Sequence, residues 1–216
     1  MFNRTIINDL KHWKEQKDRK PLMMLGARQV GKTSVLKRFG RECFEHCVYF
    51  SLDEEAGVCD IFRTTKNPTQ IIEQLSYLTD EPILPEKTLL VLDEIQDCPE
   101  AISSMKYFCE KTPEYAIACA GSLLGLAFGH EGFSFPVGKV DHINMYPVTF
   151  SEFLEQKDSG LYRYYKSIDS IEPLPQVFFD RLSQAFTAYR ISGGMPEAAM
   201  KMIEVDMKGV ETKLQN

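Results

Sequence analysis

No run of eighteen apolar residues occurs in this 216-residue sequence, which argues against a bilayer-spanning helix. The nearest candidate, "YAIACAGSLLGLAFG", is short and broken by three glycines. The opening stretch "MFNRTIINDLKHWKEQKDRK" lacks the apolar centre of a secretory leader, so the cytoplasm is the expected compartment and no membrane contact is expected. Positive charge is also short: 25 Lys and Arg against 31 Asp and Glu give a net charge of -6. That balance speaks against a dominant nucleic-acid or anionic-membrane surface, while leaving a local basic groove open. The six cysteines form no C-x-x-C pair. "CFEHC" sets Cys43, His46 and Cys47 as half a zinc site, yet nothing downstream supplies a second pair, and reduced, mostly buried thiols are the preferred reading. Neither an internal repeat nor a low-complexity tract is present.

What is present is an ordinary globular composition, 44% hydrophobic and 26% charged, enough for one good-sized domain or one domain with a small appendage. Ile6, Ile7, Leu10 and Trp13 recur at helical spacing. "PLMMLGA" reads as a strand running into a glycine loop, followed by a helix with Val35, Leu36 and Phe39 inward and Gly40 as its stop. "CVYFSLD" is a second strand. Asn67-Pro68 caps a helix with Ile71, Ile72, Leu75 and Leu78 on one face. "TLLVLDE" is a third strand, and Asp97 with Pro99 opens a helix with Ile102, Met105, Phe108 and Cys109 inward. "YAIACAGS" and "VDHINMYPVT" complete five strands, with a long surface loop, "GHEGFSFPVGK", between them. Near-continuous apolar strands alternating with helices imply a parallel sheet covered on both faces. Beyond about residue 150 strand patterns cease. Thr149 with Glu152 has the form of a capping box. Residues 176–190 form a helix with Val177, Phe178, Leu182, Phe186 and Tyr189 inward, ending at Gly193-Gly194, and Pro196 begins a last helix. The expected division is a core over 1–150 and a helical region over 151–216.

Chemistry concentrates in three places. Gly26-Ala27-Arg28-Gln29-Val30-Gly31-Lys32-Thr33-Ser34 carries the pattern of a phosphate-cradling loop. Gly26 and Gly31 permit backbone turns that aim consecutive N–H groups at one anion, and the helix beginning near Lys32 adds its positive end. Lys32 is suited to reach the β- and γ-phosphates of ATP, and the Thr33 hydroxyl to bind Mg2+. In "LLVLDE" an apolar strand carries Asp93 to the sheet's carboxyl edge, where a carboxylate can hold magnesium, and Glu94 is placed to polarise the attacking water. Ser122, ending "YAIACAGS", has two open roles, beside the γ-phosphate or as the cap of the next helix or turn. Arg28 and Gln29 can contact nucleotide or a neighbouring subunit, or face solvent. Gln96 can orient the water or cap the next helix, and Arg190 can reach the γ-phosphate or form a surface ion pair.

Taken in order, "KPLMMLGARQVGKTSVLKRF", "VYFSLDEE", "TLLVLDEIQD", "AGSLLG", "SFPVGKVDHINMYPVTFSEFL" and "YRISGGMPEAAM" resemble the bacterial and archaeal AAA-type ATPases that open with an "RQVGKT" loop. The resemblance runs from Arg4 to about Met200. It implies an α/β P-loop fold, a three-layer αβα sandwich with strand order 5-1-4-3-2 followed by a small helical lid, and ATP with magnesium at the strands' carboxyl ends. It also implies nucleotide binding by Gly26–Thr33, magnesium and water activation by Asp93-Glu94, and a γ-phosphate sensor at Ser122. Two departures stand out. Lys139 occupies a place where the family usually has arginine, and keeps the charge without the planar fork, so a solvated loop lysine is the favoured reading. The family's C-terminal domain, often described as nuclease-like, is also missing beyond "GGMPE", so a truncated chain is expected.

The leading expectation is an ATP-hydrolysing module that signals to an attached domain, a protein partner or another copy of itself. A second is a nucleotide-dependent interaction protein with negligible turnover, and a third a nucleic-acid-associated ATPase, which the acidic balance disfavours. No Asn-Lys-x-Asp segment supports a GTPase, and the Asp-Glu pair directs chemistry to water rather than to a kinase substrate.

Overall fold

The computed structural model describes residues 2–122 and 136–214. These group into two compact units, Ile6–Met145 and a second made of residues 2–5 with 146–214. The expected surface loop at 129–139 lies largely outside the described residues.

The first unit is built on five parallel strands: β1 Leu22–Gly26, β2 His46–Ser51, β3 Thr88–Asp93, β4 Ala116–Gly121 and β5 Asp141–Met145, in the order β2-β3-β4-β1-β5. This is the expected order 5-1-4-3-2 read from the other edge. Every residue of β3 and β4 is buried, as a sheet covered on both faces requires. Side-chain alternation divides the sheet between two apolar clusters. Met23, Val48, Phe50, Leu90, Leu92, Ile117 and Cys119 pack on helices α3 Ala56–Thr64, α4 Pro68–Ser76 and α5 Pro99–Lys111. Leu22, Met24, Leu89, Val91, Ala116, Ala118 and Ala120 pack on α1 Ile6–Glu15 and α2 Lys32–Cys43. Phe39, Phe62 and Phe108 are among the largest side chains removed from water, each contributing roughly 1.5–3 kcal/mol.

Several details depart from the periodicity reading. Gly40 does not stop α2, which continues to Cys43 and ends with Phe44 N–H donating to the Gly40 carbonyl at 3.0 Å. Its role is steric: a Cβ there would lie 2.2 Å from Cys47 Sγ and 2.8 Å from Cys47 Cβ, so glycine lets α2 lie against β2. Helix α4 is capped as expected, Asn67 Oδ1 accepting from Thr69 N–H at 3.1 Å. It ends at Ser76, however, and leaves Leu78 exposed. Helix α3 had no expected counterpart. Its buried Val58, Cys59, Ile61 and Phe62 are a short helical stripe hidden between two acidic and polar stretches.

In the second unit the capping box at Thr149 and Glu152 starts α6 Phe150–Lys157. A further helix, α7 Ser159–Lys166, is capped by Asp158, whose side chain accepts from Leu161 N–H. Helix α8 Gln176–Ser192 ends at Gly193, and α9 Pro196–Leu214 comes after it. The expected inward stripe of α8 is corrected: Val177 and Phe186 are exposed, and the buried residues are Ala185, Ala188 and Ser192. Small side chains bring α8 close to its neighbours, and Phe178, Leu182 and Tyr189 are only partly covered.

Glu152 also binds the start of the chain. Its Oε1 accepts from Thr5 N–H at 2.8 Å and from the Thr5 hydroxyl at 2.9 Å, its Oε2 from Thr149 N–H at 2.9 Å, and Arg4 Nε lies 3.2 Å away. Burial acts to raise the carboxyl pKa, but the Thr149 and Thr5 N–H groups and the Arg4 guanidinium outweigh it and hold it below the usual value. The ionised form is thus favoured by folding, a contribution present above the unfolded pKa and lost as pH falls through the lower folded one. Glu152→Ala, which leaves Arg4 without its carboxylate, should lower unfolding free energy by about 3 kcal/mol in urea titrations at pH 7. It should also flatten the loss of stability below about pH 4.3. Gly40→Ala should cost about 1–3 kcal/mol in the same measurement, because Cys47 and the strand behind it must give way.

Candidate functional site

The glycine loop leaves β1 at Gly26, where the chain has no room for a side chain: a Cβ would meet the Met145 carbonyl oxygen on neighbouring β5 at 2.4 Å. Ala27, Arg28 and Gln29 are exposed, while Val30 is fully buried and pins the loop to the core. Gln29 and Gly31 both have positive φ, 60° and 98°. Such left-handed residues turn neighbouring N–H groups out of the ordinary helical direction, the geometry of an anion-binding concavity. Gly31 is the N-cap of α2, its carbonyl accepting from Val35 N–H at 3.0 Å, and no side chain caps the N–H groups of the first turn. Ser34 lies exposed in that turn.

Lys32 is buried, and its ammonium donates to the carbonyls of Gly26 at 3.0 Å and Ala27 at 2.9 Å. Burial lowers its pKa, opposed by the carboxylates of Glu94 and Asp93 and aided by Arg28. A buried ammonium among carboxylates and inward-turned carbonyls is suited to polyanion contact, where its charge would be compensated.

Asp93, the last residue of β3, shares a face with Leu89 and Val91, the face covered by α2. That placement lets the Thr33 hydroxyl donate to Asp93 Oδ2. Tyr49 from β2 donates to the same oxygen at 3.1 Å, and Glu94 N–H donates to Oδ1 at 3.0 Å. Burial, together with the adjoining Asp93 carboxylate, pushes the Tyr49 hydroxyl up to about 12, so it stays a donor at neutral pH. Thr33 and Asp93 therefore form a hard oxygen pair of the kind that suits magnesium, and the residues fit that ion.

Glu94 is half-buried with φ 48°, a left-handed conformation seldom adopted by a glutamate and held here by the fully buried Ile95 beside it. Its carboxylate accepts from the Gln96 side-chain amide at 2.7 Å. Gln96 Oε1 in turn accepts from the backbone N–H of Ser122 at 3.2 Å, and its amide also donates to Asp97 at 2.9 Å. Through this one glutamine the ends of β3 and β4 are joined. Ser122 is buried at the end of β4, and the element that one of its two open roles would have it cap falls outside the described residues.

The carboxyl ends of β1, β3 and β4 thus bring together Lys32, Thr33, Asp93, Glu94 and, through Gln96, Ser122. Brought in without a sequence expectation is Tyr49, visible only once β2 is paired with β3 in register, Tyr49 opposite Val91 and Ser51 opposite Asp93. Lys139 lies apart from the cluster in an ion pair with Glu110 at 2.8 Å. Arg190 is exposed in the last turn of α8, in the second unit. His46 pairs with Glu81 at 2.8 Å and Cys47 packs against Gly40. Among the described residues no group of three metal-ligating side chains occurs.

A search of the curated proteins finds no match. Solved structures of the same fold include Drosophila ORC bound to DNA (11% identity, TM-score 0.51, 91% of this chain and 58% of that one). The replication initiator DnaA bound to AMPPCP and single-stranded DNA is similar at 16% identity and TM-score 0.51, over 99% of this chain and 65% of that one. The Thermotoga maritima RuvB Holliday junction branch migration motor is similar at 14% identity and TM-score 0.50, over 98% and 64%. The chain thus spans less than two thirds of the length of each of these, and at such identities the likeness is one of fold. A model of the AAA domain family matches residues 18–154, the stretch that holds the glycine loop, both carboxylates and Ser122. With that match over most of its length and the P-loop sheet order to go with it, the chain belongs to the AAA domain family.

Proposed function

We propose that the protein binds ATP with magnesium in the loop from Gly26 to Ser34 and hydrolyses it, acting as a nucleotide switch for an attached or partner effector. The observation that carries this reading is one connected cluster: Thr33 on Asp93, Glu94 on the same carboxylate through its backbone, and the Lys32 ammonium within their field. The N–H groups of the loop and the first turn of α2 receive the phosphates, and Lys32 neutralises charge on the β- and γ-groups. Thr33 and Asp93 would hold magnesium, which when bound would supply neutralisation of phosphate charge. Glu94 takes a proton from the attacking water, and Ser122 lies against the γ-phosphate. The division into an ATPase core over 1–150 and a helical lid over 151–216 belongs to the same proposal, as does a cytoplasmic setting.

The AMPPCP in the similar DnaA structure supports nucleotide binding here. DNA in the similar ORC and DnaA structures supports a nucleic-acid partner, against which the net charge of -6 stands. One observation favours a second reading, a switch with negligible turnover: the Gln96 amide donates to Glu94 Oε2, a hydrogen bond that stabilises the ionised carboxylate and weakens it as a base.

Steady-state phosphate release separates the two. Glu94→Gln should lower turnover about 100-fold or more while leaving ATP binding intact, the scale expected for loss of a general base. Equal rates near background for both proteins would leave the switch without turnover as the function. Lys32→Ala should weaken equilibrium binding of a fluorescent ATP analogue by about 10–100-fold, the loss of a charge-assisted contact of roughly 1.5–3 kcal/mol.

A further inference from the structure

Asp93 has more company than the phosphate-loop reading needs. Its Oδ2 accepts two hydroxyls, Thr33 from α2 and Tyr49 from β2, the latter at 3.1 Å. The face of the Tyr49 ring carries a third group, the Lys37 ammonium, 3.3 Å from the ring centroid. Lys37 lies four residues after Thr33 on α2, one turn along the same helix face. The contacts therefore close on themselves: Thr33 to Asp93, Asp93 to Tyr49, Tyr49 to Lys37, and Lys37 back along α2 to Thr33.

We infer that Tyr49 is a positioning residue for the Thr33–Asp93 pair and that Lys37 holds Tyr49 in place; this rests on the proposed role of that pair in binding magnesium. The physical case has three parts. A carboxylate at the end of a strand can turn about its last bond; the Glu94 N–H holds only Oδ1, and without Tyr49 the Thr33 hydroxyl would be the one side-chain donor described on Oδ2. Tyr49 adds a donor anchored on β2, whose backbone is paired with β3 over six residues, so its hydroxyl comes from a rigid direction. A phenol ring is itself free to swing about its first bond. Lys37 over the ring face opposes that swing, an attraction that also ties α2 to β2 behind the loop. The arrangement is specific to side chains the phosphate-loop pattern does not include.

The test is a magnesium titration of the full chain, tracked by the fluorescence of a bound ATP analogue, with binding of the same analogue in chelator as the second measurement. Tyr49→Phe keeps the ring and removes only the hydroxyl. It should raise the half-saturating magnesium concentration about tenfold, the scale seen when an outer hydrogen-bond partner of a metal ligand is removed, and leave metal-free binding unchanged. Lys37→Met should raise it about 2–5-fold through the intact hydroxyl, and the double variant should show less than the product of the two, since Lys37 acts through Tyr49. Asp93→Asn is the control for the underlying reading. If it loses magnesium dependence while Tyr49→Phe keeps that of the wild type, the inference about Tyr49 is overturned and the magnesium pair stands. If Asp93→Asn also titrates like wild type, the magnesium reading falls and this inference with it. A Tyr49→Phe loss of equal size with and without metal would show general damage to the loop and would likewise overturn it.

Discussion

Asp93 is an acid at 3% exposure at the end of a strand whose other residues are all buried, and a carboxylate there is tolerable only if donors surround it. Three are supplied, two side-chain hydroxyls and one backbone N–H, each from a different piece of chain. Much of the first unit's local geometry stems from that demand. Helix α2 must start where Thr33 can reach the strand end. The chain after β3 must turn at once, through a left-handed Glu94, so that its own N–H folds back. Strand β2 must lie next to β3 in a register that brings Tyr49 alongside. The position that makes the site useful is also the one the fold must compensate most heavily.

The strand order gives the site its location. Strand β1 lies between β4 and β5, and the loop after it opens at the sheet's carboxyl edge. Open α/β sheets bind ligands at such a point because backbone N–H groups and strand-end side chains converge there without leaving the core. The connection from Glu94 through Gln96 to the backbone at Ser122 then joins the end of β3 to the end of β4, the strand next to β1. The Gln96 side chain thus extends the contact between β3 and β4 beyond their backbone ladder, which already pairs them as far as Leu92 and Cys119.

Legibility in the sequence tracked the range of the interactions. The glycine loop, "LLVLDE" and the Thr149 capping box were readable because each is local, its residues within eight positions of one another. Five strands and their order were legible, the strands from apolar runs and the order from the family resemblance. Tyr49 was not, since its partner lies 44 residues away and only strand register brings them together. Gly40 was misread because a glycine at a helix's end and a glycine under a cysteine look alike in one dimension. The face of α8 was misread for a related reason: periodicity weights large apolar residues, and this helix buries its alanines instead.

The contacts of Glu152 have a consequence for how the molecule is made. Thr5 and its acceptor are separated by 147 residues, so one compact unit owns both an early and a late portion of the chain. During synthesis at roughly 5–20 residues per second, Arg4 and Thr5 wait on the order of ten to thirty seconds for their carboxylate to emerge. Strands β1 to β4 are all synthesised in that interval and β5 ends only seven residues before Glu152, so the second unit is finished last. A chain stalled before residue 152 would carry Thr5 without the carboxylate that receives its N–H and its hydroxyl.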